Sequence, residues 1–281
     1  MKTIENYLTD AIRERIKART EWEKISEIRL RVNCPMITKL NNKEIIFNSF
    51  IISEKELENV FNIITEYSAY AYEDAIKCGY LTVEGGHRIG FGGEAVIKNE
   101  KIVTIKNIKF MNIRVSHVVD GCGKEICREL LVDGKPDNTL IISPPGVGKT
   151  TLLRDLIKIF SINIEGTSIC VIDERNEISG SYMGVPAIDL GWRTDVISNC
   201  SKEDGIMMAV RSLAPQIIAV DEIGGENDIR AINYASRCGV NIIATIHGNS
   251  LNDARLKLGQ AFDNIFTKKI LIKGKGEYIC Y

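Results

Sequence analysis

The chain has little of what usually assigns a protein at sight. It carries no charge of one sign: 36 Lys and Arg stand against 37 Asp and Glu, so no overall field draws it onto nucleic acid or a phospholipid surface. It has no long apolar run either. No stretch approaches the ~20 apolar residues that cross a bilayer, and Met1-Lys2-Thr3-Ile4-Glu5 passes into a charged amphipathic pattern without the apolar core of a signal peptide. These absences predict a cytosolic protein that reaches a membrane only when another protein recruits it. The eight cysteines (34, 78, 122, 127, 170, 200, 238 and 280) include no C-x-x-C pair, which excludes the usual zinc and disulfide frameworks and leaves reduced core thiols. Histidine is scarce, with three in all.

What is present suffices for real cores: 44% of residues are hydrophobic, and the length predicts about two domains. Apolar residues at 4, 7, 8, 11, 12 and 16 share one face of a predicted helix. Glu27-Ile28-Arg29-Leu30-Arg31-Val32 alternates as a half-buried strand with Arg29 and Arg31 toward solvent. Ser53 followed by Glu56 opens a helix carrying Leu57, Val60, Phe61 and Ile64, and a second helix over Tyr70 to Lys77 stops at Gly79. From Tyr80 to Val115 the pattern is β, with turns at Gly85-Gly86 and Asn99-Glu100. A helix near 124–131 leads to Gly134 and Pro136, the expected boundary between an N-terminal α+β domain, 1–134, and a second domain, 135–281. Apolar runs at 139–143, 168–173, 216–221 and 240–245 then alternate with helical segments, as in a mostly parallel α/β sheet that binds nucleotide.

Ser143-Pro144-Pro145-Gly146-Val147-Gly148-Lys149-Thr150 lies between Leu140-Ile141-Ile142 and Thr151-Leu152-Leu153, the order strand, glycine loop, helix of a phosphate-binding loop. Its glycines let backbone N–H groups turn around phosphates, Lys149 brings a positive charge to the β and γ groups, and Thr150 offers a hydroxyl to Mg²⁺. Ser143 through Thr151 are therefore the candidate ATP-binding residues, with Ser143 standing where the pattern has glycine. The apolar strand from Gln216 delivers Asp221 and Glu222 at its C-terminal end, where open α/β sheets bind ligands. Asp221 is the candidate Mg²⁺ ligand and Glu222 the candidate base for the attacking water. Glu174, in Val171-Ile172-Asp173-Glu174-Arg175, competes for that role and ranks second because Asp221 fixes Glu222 beside the metal. Thr245-Ile246-His247 ends the next strand, where His247 can sense the γ-phosphate or the water. His87 and His117 lack such a context and read as structural. Charge on the γ-phosphate is usually met by an arginine, often from a neighbouring subunit, for which Arg193 and Arg211 are the candidates. Arg29, Arg31, Arg88 and Arg114 form a basic set in the first domain whose spacing alone favours a solvated strand face.

The succession of phosphate loop, Val171 to Arg175, Gly191-Trp192-Arg193-Thr194-Asp195-Val196, Ala209 through Gly224, and Ala244-Thr245-Ile246-His247-Gly248 resembles the stage III sporulation protein AA family of endospore-forming bacteria. That family is related to the ATPases of type II and type IV secretion and pilus assembly. Glu27 to Asn33, Gly85 to Gly90 and Met111 to Arg114 extend the resemblance over nearly the whole chain. It implies a RecA-like P-loop ATPase core preceded by a smaller α+β domain, and a homo-oligomer assembled as a hexameric ring with nucleotide at subunit boundaries. It further implies an ATPase on the mother-cell side of the membrane around the forespore, energising a channel built with other stage III sporulation proteins. By the same resemblance Asp173-Glu174 corresponds to the acidic box of secretion ATPases and Thr245 with His247 to the histidine box, while Arg88 and Arg114 become arginines that approach nucleotide. Trp192 stands where a proline is expected. Two other readings share the core pattern. One is a nucleic-acid-dependent ATPase of RecA or helicase type, which the balanced charge and the want of an aromatic stacking platform oppose; the other is a scaffold that binds ATP and scarcely consumes it.

Overall fold

The computed structural model describes every residue except 1, 2, 41, 42, 99, 118, 119 and 275, and leaves aside the side chains at 69 and 74. The chain divides into two compact units, the first ending at His117 and the second running to Tyr281.

In the first unit the stripe expected on one helix over 4–16 is kept, but on two pieces. A 3-10 turn, Ile4–Tyr7, gives out at Leu8, and α1 (Asp10–Lys17) starts afresh from Thr9, whose backbone is extended and whose hydroxyl bonds to Glu56. Ile4, Tyr7, Leu8, Ile12 and Ile16 are all buried, so packing preserved the apolar face while the backbone broke beneath it. Three strands follow: β1 (Ile25–Arg31), β2 (Pro35–Leu40) and β3 (Lys43–Ile51). Helix α2 (Glu54–Ile64) begins where the Ser53 hydroxyl accepts the Glu56 amide at 3.1 Å. The second predicted helix is a 3-10 turn, Ala69–Tyr72, running into α3 (Glu73–Lys77). Then come β4 (Tyr80–Val83), β5 (His87–Lys98) and β6 (Lys101–Arg114), the last two longer than the sequence pattern suggested. The expected turn at Asn99-Glu100 falls partly on residue 99, outside the described residues.

These strands form one six-stranded antiparallel sheet in the order β3-β2-β1-β6-β5-β4. The period-two alternation buries Ile28, Leu30, Ile89, Phe91, Met111 and Ile113 on one face against Ile12, Ile16, Leu57, Val60 and Ile64. Arg29, Arg31, Arg88 and Arg114 belong to the other face. Arg88 and Arg114 are directly opposed across β5 and β6, and the Arg88 guanidinium lies 3.7 Å from the centre of the Tyr80 ring.

The boundary expected at 134 falls earlier, because residues 121–130 are part of the second unit. The Asp155 carboxylate accepts the amides of Gly121 at 2.8 Å and Gly123 at 2.6 Å, and Ile126 and Leu130 are buried in the same core as Leu152 and Leu156. Wrapping around Asp155 replaces the helix expected near 124–131 with turns and a short 3-10 segment, Cys127–Leu130. Gly134 and Pro136 mark only a small ribbon, β7 (Leu131–Val132) and β8 (Lys135–Pro136).

The second unit is built on β9 (Thr139–Ser143), α4 (Lys149–Asn163), β10 (Ile169–Asp173), β11 (Thr194–Ser198), α5 (Lys202–Ser212), β12 (Ile217–Val220), α6 (Glu226–Arg237), β13 (Asn241–His247), α7 (Leu251–Leu258), α8 (Ala261–Asn264), β14 (Lys268–Gly274) and β15 (Glu277–Cys280). Its seven-stranded sheet has the order β11-β10-β12-β13-β9-β14-β15, parallel except for β15. Leu140, Ile142, Cys170, Ile172, Ile218 and Val220 face the core shared with α5 to α8; Ile141, Ile169, Val171, Ile217 and Ala219 face the core shared with α4. Burial on both faces is why these strands read as unbroken apolar runs. Strands β11, β14 and β15 were not expected from the pattern.

Candidate functional site

Strands β10, β12, β13 and β9 are neighbours in that order, so the ends read as chemical in the sequence lie along one edge. After β9 the chain turns through Gly146 (φ 76°) and Gly148 (φ 107°), both left-handed and both with open space where a Cβ would be. Glycine is therefore demanded by the backbone, not by crowding. Among the described residues no side chain caps the N-terminus of α4, and its first turn carries no acid. Its free N–H groups are left for an anion. Ser143 is buried and its hydroxyl bonds to the Pro144 carbonyl at 2.9 Å, so the residue replacing glycine satisfies its own polar atom. Pro145 is exposed, Val147 packs on the α4 core, and Thr151 lies half-buried in the first turn of α4.

The charged groups converge beside this loop. Lys149 Nζ is buried, 2.8 Å from Glu222 Oε1 and 3.9 Å from Asp221 Oδ1. Thr150 Oγ1 donates to Asp221 Oδ2 at 2.6 Å. The Thr245 hydroxyl donates to the other Asp221 oxygen and accepts the Glu222 amide at 2.9 Å. Glu222 has a φ of 55°, a left-handed conformation costly for a residue with a side chain, and the Thr245 bond helps to hold it. His247 Nε2 lies 2.9 Å from Glu222 Oε1, while its buried Nδ1 has no partner among the described residues. Burial pushes the Glu222 carboxyl up, but the Lys149 ammonium and the His247 ring together outweigh it and hold the pKa below its ordinary 4.5.

Glu174 competes with Glu222 for the base role, and the end of β10 that carries it has partners of its own. Asp173, the end of β10, accepts the amides of Glu177 (2.8 Å), Ile178 (3.1 Å) and Ser179 (2.7 Å) and the Ser179 hydroxyl (2.6 Å). It organises the loop that follows. Glu174 pairs with Lys202 Nζ at 2.6 Å. Asp173, Glu174, Arg175, Lys202, Asp221 and Glu222 nevertheless line one cavity of about 20 Å³, room for roughly one water.

Neither candidate arginine lies here within its own chain. Arg193 donates to the carbonyls of Ser161 at 2.7 Å and Ile162 at 3.3 Å, at the far end of α4, a helix roughly 22 Å long. Arg211 is exposed in the last turn of α5, which leads back toward the start of β12 at the opposite edge of the sheet. Three residues given no role in the sequence reading do lie in or beside the charged edge. Arg175 Nη1 donates to Glu222 Oε2 at 3.0 Å, Lys202 holds Glu174, and half-buried Arg154 donates to the Glu177 carbonyl, with its guanidinium pushed down by desolvation and supported by Asp173 and Asp221. Arg175 sits inside a motif already singled out; only the adjacency of β10 and β12 reveals its partner. His87 and His117 bond to backbone groups: His87 Nδ1 accepts the Ser116 amide at 3.1 Å, and His117 Nε2 bonds the Ile25 carbonyl at 2.6 Å.

An antiparallel α+β unit followed by a mostly parallel sheet with a glycine loop and acidic strand ends is the fold of an N-terminal domain joined to a RecA-like ATPase core. The fold is similar to the Legionella pneumophila ATPase DotB, with a TM-score of 0.65 at 14% identity over 97% of this chain and 80% of that one. It is also similar to the pilus retraction motor PilT, solved with bound ADP, with a TM-score of 0.60 at 15% identity over 93% of this chain and 76% of that one. The sequence narrows the class further. The profile of the family described as sporulation stage III, protein AA, matches residues 1–278, and the stage III sporulation protein AA of Bacillus subtilis is 35% identical over 236 residues, 83% of this chain and 76% of the relative. The chain belongs to that sporulation family. Among the described residues no helix is long and apolar enough to cross a membrane.

Proposed function

We propose that this protein is a Mg²⁺-dependent ATP hydrolase that drives assembly of, or transport through, a channel between mother cell and forespore. The observation that carries the reading is the meeting of Lys149, Thr150, Asp221, Glu222 and His247 at the mouth of an uncapped helix. These residues fit nucleotide and metal. The amides of 146–151 and Lys149 would hold the phosphates, and Thr150 with Asp221, already 2.6 Å apart, would hold the ion. Mg²⁺ supplies charge neutralisation on the phosphates. Glu222, kept ionised by its cationic neighbours, accepts a proton from water, and His247 steadies its carboxylate. Glu174 remains the alternative base, since both glutamates line the same small cavity.

Family membership supports the sporulation setting, and the secretion-ATPase fold supports a homo-oligomeric ring, proposed to be hexameric, with nucleotide at subunit boundaries. The proposed location is the cytosolic face of the membrane on the mother-cell side, with docking onto membrane proteins of the channel. Phosphate release from ATP by the purified chain tests the chemistry: it should require Mg²⁺ and disappear in Lys149→Ala. Glu222→Gln should bind ATP and not turn it over; unchanged turnover would transfer the base role to Glu174.

A further inference from the structure

Charge building on the terminal phosphate of a nucleotide is generally met by a guanidinium. Of the arginines expected near nucleotide, Arg193 is committed to the end of α4, Arg211 is exposed on α5, and Arg88 and Arg114 lie on the sheet of the first unit, whereas Arg175 stands at the site. It lies two residues beyond the end of β10, and its backbone is bracketed. Asp173 on one side receives the amides of Glu177 to Ser179 on the other, so a rigid loop presents the side chain. One nitrogen donates to Glu222 Oε2, and with 57% of the side chain exposed the rest of the donor fork faces the open side.

Glu222 sits where three donors meet: Lys149 and His247 on one oxygen, Arg175 on the other. Lys149 is the group a phosphate loop gives to the phosphates. A phosphate dianion arriving at Lys149 therefore enters the field that now holds the Glu222 carboxylate. It carries more charge than the carboxylate and matches a guanidinium fork in two-point geometry. Glu222, repelled by the phosphate, is left with His247.

We propose that Arg175 is the arginine that meets the terminal phosphate of ATP from within the same chain, giving up Glu222 in exchange and so freeing that carboxylate to face water. The proposal rests on the ATPase reading of the same site.

Affinity for ADP and for a non-hydrolysable ATP analogue, each measured with Mg²⁺ on the full chain, separates the proposal from that reading, because neither measurement needs turnover. Arg175→Ala should leave ADP affinity within about twofold, weaken the analogue about tenfold, and lower kcat by a factor of order 10² to 10³. Arg175→Lys, which keeps charge without the fork, should recover part of the analogue affinity and less of kcat. An unchanged ratio of the two affinities would overturn the proposal, as would equal loss of both nucleotides with a lowered melting temperature, which is what a structural role predicts. If the natural protein shows no turnover the ATPase reading fails, while the affinity ratio still reports on Arg175. Mixing Arg175→Ala with Lys149→Ala chains gives a further check. Recovered activity would mean that the arginine acts across a subunit boundary, overturning the assignment within one chain; the expected result is no recovery.

Discussion

Asp173→Ala is the perturbation that most directly separates an acid used for structure from one used for chemistry. The carboxylate is 2% exposed and accepts three amides and one hydroxyl. Glu177 is only partly buried, so water can reach its amide after truncation. Ile178 and Ser179 are fully buried and cannot be rescued that way. The Ser179 hydroxyl keeps the Ser181 hydroxyl at 2.7 Å as a partner, so two orphaned amides, at roughly 1–3 kcal/mol each, give an expected loss of about 4 kcal/mol. In a unit of this size that lowers the melting temperature by about 8–16 °C. Asp173→Asn keeps the volume and one accepting oxygen and should lose about half as much. Glu174→Gln removes the charge that faces the buried Lys202 ammonium but keeps an accepting amide oxygen, and should cost about 1–2 kcal/mol, less than Asp173→Ala. Differential scanning calorimetry is the assay, since the first unit serves as an internal reference if the two melt separately. An Asp173→Ala protein that melts like the parent but has lost nucleotide turnover would refute the assignment of Asp173 to the loop.

Three other outcomes follow from the geometry. Burial, together with the nearby His117, holds the His87 pKa at about 4 against an ordinary 6.5. The unfolded chain then takes up the proton first, so this contribution is complete above pH 6.5 and is lost as pH falls toward 4, by at most about 3 kcal/mol. Urea titrations across that range should show the decline, and His87→Gln should flatten it; an identical slope in the variant would remove His87 from the account. Gly93→Ala would put a methyl group 2.6 Å from the Lys106 carbonyl oxygen and 2.8 Å from that of Asn107, both backbone, and should destabilise the first unit by about 1–3 kcal/mol in urea unfolding; an unaltered midpoint would show that β5 and β6 can separate cheaply there. Glu222→Gln removes a carboxylate whose pKa lies below 4.5, so its ion pair with Lys149 stabilises at neutral pH and fades only as the medium is acidified below that value. The difference in melting temperature between parent and variant should therefore shrink as the medium is acidified below that value.

The strands bearing the site were legible because burial on two faces writes itself as an unbroken apolar run, and the acids or glycines ending each run are local to it. Strand β11, Thr194–Ser198, was missed since it is an edge strand with only half-buried or exposed positions, and β14 with β15 since their Lys and Gly content hides a strand buried only at Ile270 to Ile272. The break at Thr9 was hidden for the opposite reason: both pieces bury the same side, so the stripe carries across a backbone that does not. The domain boundary was read from Gly134 and Pro136, but it depends on Asp155 reaching back to Gly121 and Gly123, a contact no local pattern encodes. Residues of the site divide in the same way. Lys149, Thr150, Asp221, Glu222 and His247 announce themselves by position in a motif, while Arg175 and Lys202 acquire partners only through strand neighbourhood.

The hydroxyl of Thr245 donates to Asp221 and accepts the amide of Glu222, so one buried atom on β13 sets the aim of both acids that follow β12. Thr245 belongs to the middle of the sheet, between strands that are themselves paired on both sides. The two carboxylates thus inherit the stillness of the sheet, and Glu222 keeps its left-handed backbone as a fixed fixture. Whatever changes place as nucleotide comes and goes must be sought in the groups with freedom to swing: the glycine loop after β9 and the exposed guanidinium of Arg175.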